Sequence, residues 1–306
     1  MYKNLRFYRV FSPWPATEAA VDARLERNAF KPCGPYTERS SGWEVPHGDA
    51  LCRGVNGAHF LQLRTQSRVL PAAAIREALE ERISDYAARM QEPPSRREVR
   101  RLQGEIRDEL LPQALLKSER IQGCFLQSEQ VLCIDAGSDG KAERFLDQLR
   151  PCMEQFEFAP LEFNKPLAPL LTALLLGEHI PGLQLGYECR MQDVSDKAAV
   201  AVWRNVDLQA ADVQQHLAAS MKLTHLAVDF ESLLGGVLSE LGTVSKIRLP
   251  TRSDDETASE TDPLARADAD CVLLSGAVRG LLQLLSKQLG GFRTGGDAAG
   301  TQASAA

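Results

Sequence analysis

Alternation opens the chain. In residues 4–10, Leu5, Phe7 and Arg9 fall on one side and Arg6, Tyr8 and Val10 on the other, which predicts a strand. Thr17 then suits the cap of a helix running to about Asn28, with Ala20, Val21 and Leu25 toward a core. Residues 31–49 are rich in Pro, Gly and Ser and read as a loop that buries Trp43; residues 58–63 read as a strand. Pro71 opens a helix over 72–90 whose apolar positions are Ile75, Leu79, Ile83 and Tyr86. After Pro93 and Pro94 a second helix is expected from Ser95 to Lys117. Residues 72–117 thus form a helical hairpin with no strand, a projecting subdomain.

Beyond it, the apolar runs 121–126 and 131–134 flank Ser128-Glu129-Gln130 and predict a β-hairpin. Helices are expected at 139–149, 166–176 and 210–219, and strands at 156–163, 184–191, 198–202 and 222–230. A further hairpin joins 237–238 to 244–249. Residues 251–262 read as an acidic loop, 271–289 as a closing helix, and the tail from Gly290 as disordered. Helices and strands do not alternate strictly, so the expected class is α+β, with mixed or antiparallel sheets. No window approaches eighteen uncharged apolar residues, so no membrane span is expected. The N-terminus MYKNLRFYRV has no signal-peptide core, which leads to the expectation of a cytoplasmic protein.

Charge changes the picture more than composition does. The 306-residue chain carries a net −6, yet residues 1–120 sum to +4 and the remainder to −10. That asymmetry points to a polyanion-facing part. Of the basic residues in 1–120, only Lys3, Lys31 and Lys117 are lysines, and arginine favours forked contacts with phosphate. The cations concentrate at Arg96, Arg97, Arg100, Arg101 and Arg107. Helical spacing puts Arg96, Arg100 and Arg107 along one strip, with Arg97 and Arg101 beside it. Glu98, Glu105, Asp108 and Glu109 share the helix, so intrahelical ion pairing is the competing account.

Other constellations are sparse. There is no phosphate-binding G-x-x-x-x-G-K-[ST] and no C-x-x-C, and the five histidines lack ligand spacing, so neither cofactor nor structural metal is expected. Seven scattered cysteines read as reduced, buried thiols. Asp229 and Glu231 at a strand end are the one pair that suits a divalent metal, which keeps a metal-dependent nuclease open. A protein–protein adaptor whose arginine helix meets an acidic partner is the other alternative.

Several phrases carry a resemblance. Ala29-Phe30-Lys31-Pro32-Cys33-Gly34 and Gly42-Trp43-Glu44-Val45-Pro46 come first, followed by Val69-Leu70-Pro71 and Asp108-Glu109-Leu110-Leu111-Pro112-Gln113-Ala114-Leu115. Lys222 to Phe230, the run from Ala265 to Gly276, and Gln288-Leu289-Gly290-Gly291 complete the set. Together and in this order they resemble the bacterial recombination-associated protein RdgC family. The family's L-L-P-R-A-F reads Leu-Pro-Gln-Ala-Leu over 111–115 here, lacking an Arg and an aromatic.

The resemblance implies a nucleoid-associated, non-enzymatic protein that binds double-stranded DNA without sequence preference. It further implies a homodimeric ring with a positively charged hole, and restraint of the RecA recombinase. The subunit would be curved, with three parts. Residues 1–71 and 118–165 would form the centre, with 264–290 packing back on it. Residues 72–117 would form the tip and 166–263 the base, with 291–306 as a tail. Expected phosphate contacts are Arg96, Arg97, Arg100, Arg101 and Arg107, with Lys117 and Arg76 secondary. Arg190, Arg204, Lys222, Lys246 and Arg248 would line the same surface from the base.

Overall fold

The computed structural model describes residues 2–218, 221–250 and 262–293. The fold is α+β and hinges on the first strand, β1 (Asn4–Val10). Its alternation serves two cores: Leu5 and Phe7 join one buried cluster, Tyr8 and Val10 the other. Near its start β1 pairs with β12 (Val244–Arg248), and further along with β6 (Val131–Ile134) and β7 (Phe158–Pro160). One strand therefore joins two half-sheets into a continuous antiparallel sheet.

The first half-sheet contains β2 (Arg39–Glu44), β3 (Cys52–Val55), β4 (Ala58–Val69) and β5 (Leu115–Leu126). Both its faces are covered. Helices α1 (Glu18–Leu25) and α4 (Asp139–Leu149) supply Val21, Leu25, Phe145 and Leu149 to the cluster around Trp43. The second half-sheet contains β8 (Leu183–Asp193), β9 (Val200–Arg204), β10 (Met221–Phe230), β11 (Leu234–Ser239) and β12. Its core side meets α5 (Leu167–Leu175), α6 (Ala211–Ala218) and α7 (Pro263–Gln288), while its other side carries no hydrophobic cluster among the described residues. The full order is β2-β4-β5-β6-β1-β12-β11-β10-β8-β9, with β3 on β4 and β7 on β1.

Between β4 and β5 the chain rises into a hairpin of α2 (Ala72–Met90) and α3 (Arg96–Leu110). No residue of α2 is fully buried, and its apolar stripe packs half-covered against α3. Leu102, Ile106 and Leu111 are buried within the hairpin, each at most 5% exposed.

Several expectations are corrected. The loop expected over 31–49 contains β2, because Arg39–Glu44 pairs along β4 from Ser67 to Gln62. Gly42 makes this possible: a Cβ there would lie 2.6 Å from the Phe30 Cα. The second hairpin helix stops at Leu110, since Pro112 enters a short 3-10 turn, and Leu115 then pairs with Val69. Residues 115–117, including Lys117, are therefore strand. The strand expected over 156–163 shrinks to three residues, and Ala20 is exposed rather than core-facing.

The closing helix begins earlier than expected, at Pro263, where the Asp262 side chain accepts the Leu264 N–H at 3.1 Å. It is long and apolar enough by composition to cross a bilayer, which the sequence was not expected to supply. Its Leu274, Ala277, Val278, Leu281, Leu282 and Leu285 are instead buried in the core. Gly291 and Arg293, assigned to the tail, bond to Asn164 and Glu162. The acidic loop at 251–261 and the tail from 294 lie outside the described residues.

Candidate nucleic-acid interface

The arginine strip sits on a helix with a well-made start. Ser95 caps α3 through the Glu98 N–H, and the Glu98 carboxylate accepts the Ser95 N–H at 2.8 Å, a reciprocal capping box. The Tyr86 hydroxyl donates to the same carboxylate at 2.5 Å, tying α2 to the cap. These bonds, Tyr86 first and Ser95 after it, hold the Glu98 carboxyl down at about 2. Arg82 reaches Glu109 at 2.8 Å and closes the other end of the pair of helices.

On this frame Arg96, Arg97, Arg100, Arg101 and Arg107 are all exposed and turn away from Leu102 and Ile106. Arg101 lies 3.5 Å from Glu105, and Arg107 lies 2.9 Å from Glu38 in the preceding chain segment. Arg96, Arg97 and Arg100 make no ion pair among the described residues. Intrahelical pairing thus accounts for Arg101 alone. Arg76 is exposed on α2, and Lys117 is exposed on β5 opposite Ser67.

The root of the hairpin is pinned by Arg68, which donates to the backbone carbonyls of Gly34, Leu111, Pro112 and Ala114 at 3.0–3.2 Å. Nothing in the sequence sets Arg68 apart from its neighbours. The Ser95-x-x-Glu98 box, by contrast, is a readable signal that sequence reasoning passed over. Two further cations were missed: Arg89, exposed near the end of α2, and Lys3, which lines a groove on the second half-sheet.

The base cations are differently placed. Arg190, Arg204, Lys222, Lys246 and Arg248 are all exposed on strands of the second half-sheet. Lys246 and Arg204 share Glu188, at 2.5 Å and 3.4 Å, and Lys222 holds Glu240 at 2.5 Å. Burial raises the Glu188 carboxyl, but hydrogen bonds from Lys246 and Arg204 outweigh it and leave the pKa lowered. Arg190 and Arg248 form no ion pair among the described residues. Lys117 lies on β5, two strands (β6 and β1) from Lys246 and Arg248 on β12 and four or more from Lys222, Arg190 and Arg204 on β10, β8 and β9.

The remaining candidates resolve simply. The Asp229 carboxylate accepts the Ser232 N–H at 2.8 Å in a tight turn where Glu231 and Ser232 both have positive φ. Among the described residues no group of three or more His, Cys, Asp or Glu side chains is arranged to hold a metal ion. Six of the seven cysteines are buried and all are free. Burial pushes the Cys189 and Cys271 thiols up to about 11 and about 12, so neither is a thiolate at neutral pH.

A family model described as "RdgC: Putative exonuclease, RdgC" matches residues 1–292. The chain belongs to the RdgC family. Curated relatives named "Recombination-associated protein RdgC" are similar along nearly their full length. The protein of Shewanella halifaxensis is 26% identical over 297 residues, 95% of this chain and 98% of the relative. That of Pseudoalteromonas atlantica is 27% identical over 283 residues, covering 90% and 93%. That of Halorhodospira halophila is 28% identical over 296 residues, covering 95% and 98%. The RdgC name on these relatives places the chain among recombination-associated proteins, while the model's description carries an enzymatic label.

Proposed function

We propose that this RdgC-family chain binds double-stranded DNA through its phosphates, without reading sequence, using the α3 arginines as its principal contact. The supporting observation is where those arginines sit. Arg96, Arg97 and Arg100 occupy the first turns of α3, beside the positive end of the helix dipole. Cations in the first turn disfavour the helix by roughly 0.3–1 kcal/mol each at exposed sites, a cost that falls on Arg96 and Arg97. With no carboxylate partners to offset that cost, their clustering is explained by an external anion. A guanidinium on a capped helix contacts phosphate oxygens at any base sequence.

Two subunits arranged as a ring would bring the base cations of each toward the same duplex and retain it topologically. DNA held in this way is less available to the RecA recombinase, which limits recombination with no catalytic step. Arg190 and Arg248 are the base residues best suited to join, since Lys222, Lys246 and Arg204 must first leave their carboxylates.

The test uses opposed readouts. Arg97→Glu combined with Arg100→Glu should weaken binding to several unrelated duplexes equally. The same change should raise the thermal stability of the hairpin, since acids suit a helix start. Unchanged DNA affinity alongside higher stability would reject the reading, and loss of binding to a single sequence would contradict sequence independence. Incubating plasmid DNA with Mg²⁺ checks the enzymatic label directly: the expectation is intact supercoils, and nicking abolished by Asp229→Asn would overturn it.

A further inference from the structure

The helical hairpin leaves the sheet at Val69 and returns at Leu115, directly opposite each other on β4 and β5. The strand ends that carry it, residues 64–69 and 115–120, supply no side chain to either hydrophobic cluster. What holds the hairpin to the sheet is therefore mostly polar. Gln62, Arg64, Gln66 and Arg68 alternate along one face of β4. Three of them meet the chain segment that follows α1. Arg64 lies over the Phe30 ring at 4.5 Å, the Gln66 side chain accepts the Cys33 N–H at 2.9 Å, and Arg68 reaches Gly34.

Arg68 closes this row and spends its charge on neutral atoms. It is half-buried and forms no ion pair among the described residues. Nε donates to the Gly34 carbonyl at 3.1 Å. Nη1 lies 3.1, 3.0 and 3.2 Å from the carbonyls of Leu111, Pro112 and Ala114. The backbone N–H of Arg68 adds a bond to the Glu38 carbonyl at 2.9 Å. The three carbonyls at Nη1 follow the end of α3, where a helix leaves acceptors unpaired and its dipole is negative. One planar fork thus caps α3 and ties it to β4 and to the 34–38 segment. The Arg107–Glu38 pair at 2.9 Å fastens the same segment to the last turn of α3.

We propose that Arg68 is a positioning residue for DNA binding: it fixes the angle at which α3 presents Arg96, Arg97 and Arg100, and does not touch DNA itself. This role rests on the α3 contact proposed above and names what aims that helix. Leverage makes the aim sensitive. The first turn of α3 lies about 20 Å along the helix from its root, so a swing of about 10° moves those cations by about 4 Å, beyond hydrogen-bonding reach of a phosphate. Lysine cannot replace the fork. Its ammonium carries the same charge but is a single point, unable to span Gly34 on one side and residues 111–114 on the other.

The test reads hairpin orientation and DNA binding separately, on the full chain. Gly104→Cys on α3 and Asp147→Cys on α4, both exposed positions, carry nitroxide labels in a Cys271→Ser background, the other cysteines being buried. Excess unlabelled chain restricts the measured distances to one molecule. Without DNA the distance distribution should be narrow in this parent and broad in Arg68→Lys and Arg68→Ala. A second pair inside the hairpin, Ser84→Cys with Gly104→Cys, should stay narrow throughout, because the α2–α3 contact is untouched. Both substitutions should weaken binding to unrelated duplexes, Arg68→Lys nearly as much as Arg68→Ala. The salt dependence should flatten by about one unit or more even in Arg68→Lys, whose net charge is unchanged.

A distribution between α3 and α4 that stays narrow in both variants overturns the positioning role. So does broadening of the pair inside the hairpin, which would make Arg68 a residue of hairpin folding instead. Broadening between α3 and α4 with unchanged DNA affinity overturns the α3 contact, and with it any part for Arg68 in binding, while the latch itself stands.

Discussion

Three single residues, Gly104, Gly42 and Glu98, each have a separately measurable effect on stability. Gly104 lies mid-helix in α3, and a Cβ there would meet nothing within 4 Å. Gly104→Ala should therefore stabilise the hairpin by about 0.5–1 kcal/mol, since glycine pays the larger entropy of ordering. Thermal unfolding would report it, and a loss of stability would mean that this face is occupied. Gly42→Ala should do the reverse, because its Cβ would strike the Phe30 backbone rather than a flexible side chain. Glu98 gives a pH signature. Its carboxyl stands at about 2 in the folded chain against an ordinary value of 4.5. A depressed carboxyl stabilises above its unfolded value, and that contribution disappears as pH falls from about 4.5 through about 2. Acid titration of hairpin stability should show this loss, and Glu98→Gln should remove it.

Elements differed in how legible they were, for physical reasons. Both ends of α2 were readable, because Pro71 sets the start and Pro93-Pro94 follow the left-handed Gln91. So was α4, whose Phe145, Leu146 and Leu149 mark one face. The β2 strand was hidden because RSSGWE lacks β-branched residues and owes its shape to pairing with β4 and to the close approach of Phe30. Lys117 was misplaced because helical periodicity was carried through Pro112, where the backbone cannot continue it. In the candidate site, the exposure of the α3 arginines followed from their spacing relative to Leu102 and Ile106. Which of them lack a carboxylate did not, because Glu38, the partner of Arg107, is distant in sequence. The capture of Lys246 and Arg204 by Glu188 was equally invisible, since it spans β12, β8 and β9.

At the scale of the whole molecule, one acidic chain carries one basic group on its helical hairpin and another on the strands of its second half-sheet. The tip group is largely unpaired, while three of the five base residues are held by carboxylates. On this account the tip makes first contact and the base contributes once its ion pairs exchange for phosphate, which predicts that replacing Arg190 and Arg248 weakens binding less than replacing the α3 set. Phosphate binding through α3 is tested by a salt titration of binding to unrelated duplexes. The logarithm of the binding constant should fall linearly with the logarithm of salt concentration, with a slope of roughly −0.9 per phosphate neutralised. Replacing Arg96, Arg97 and Arg100 should flatten that slope by about one unit per arginine. A slope near zero, or one unchanged by the triple replacement, would contradict phosphate binding through α3.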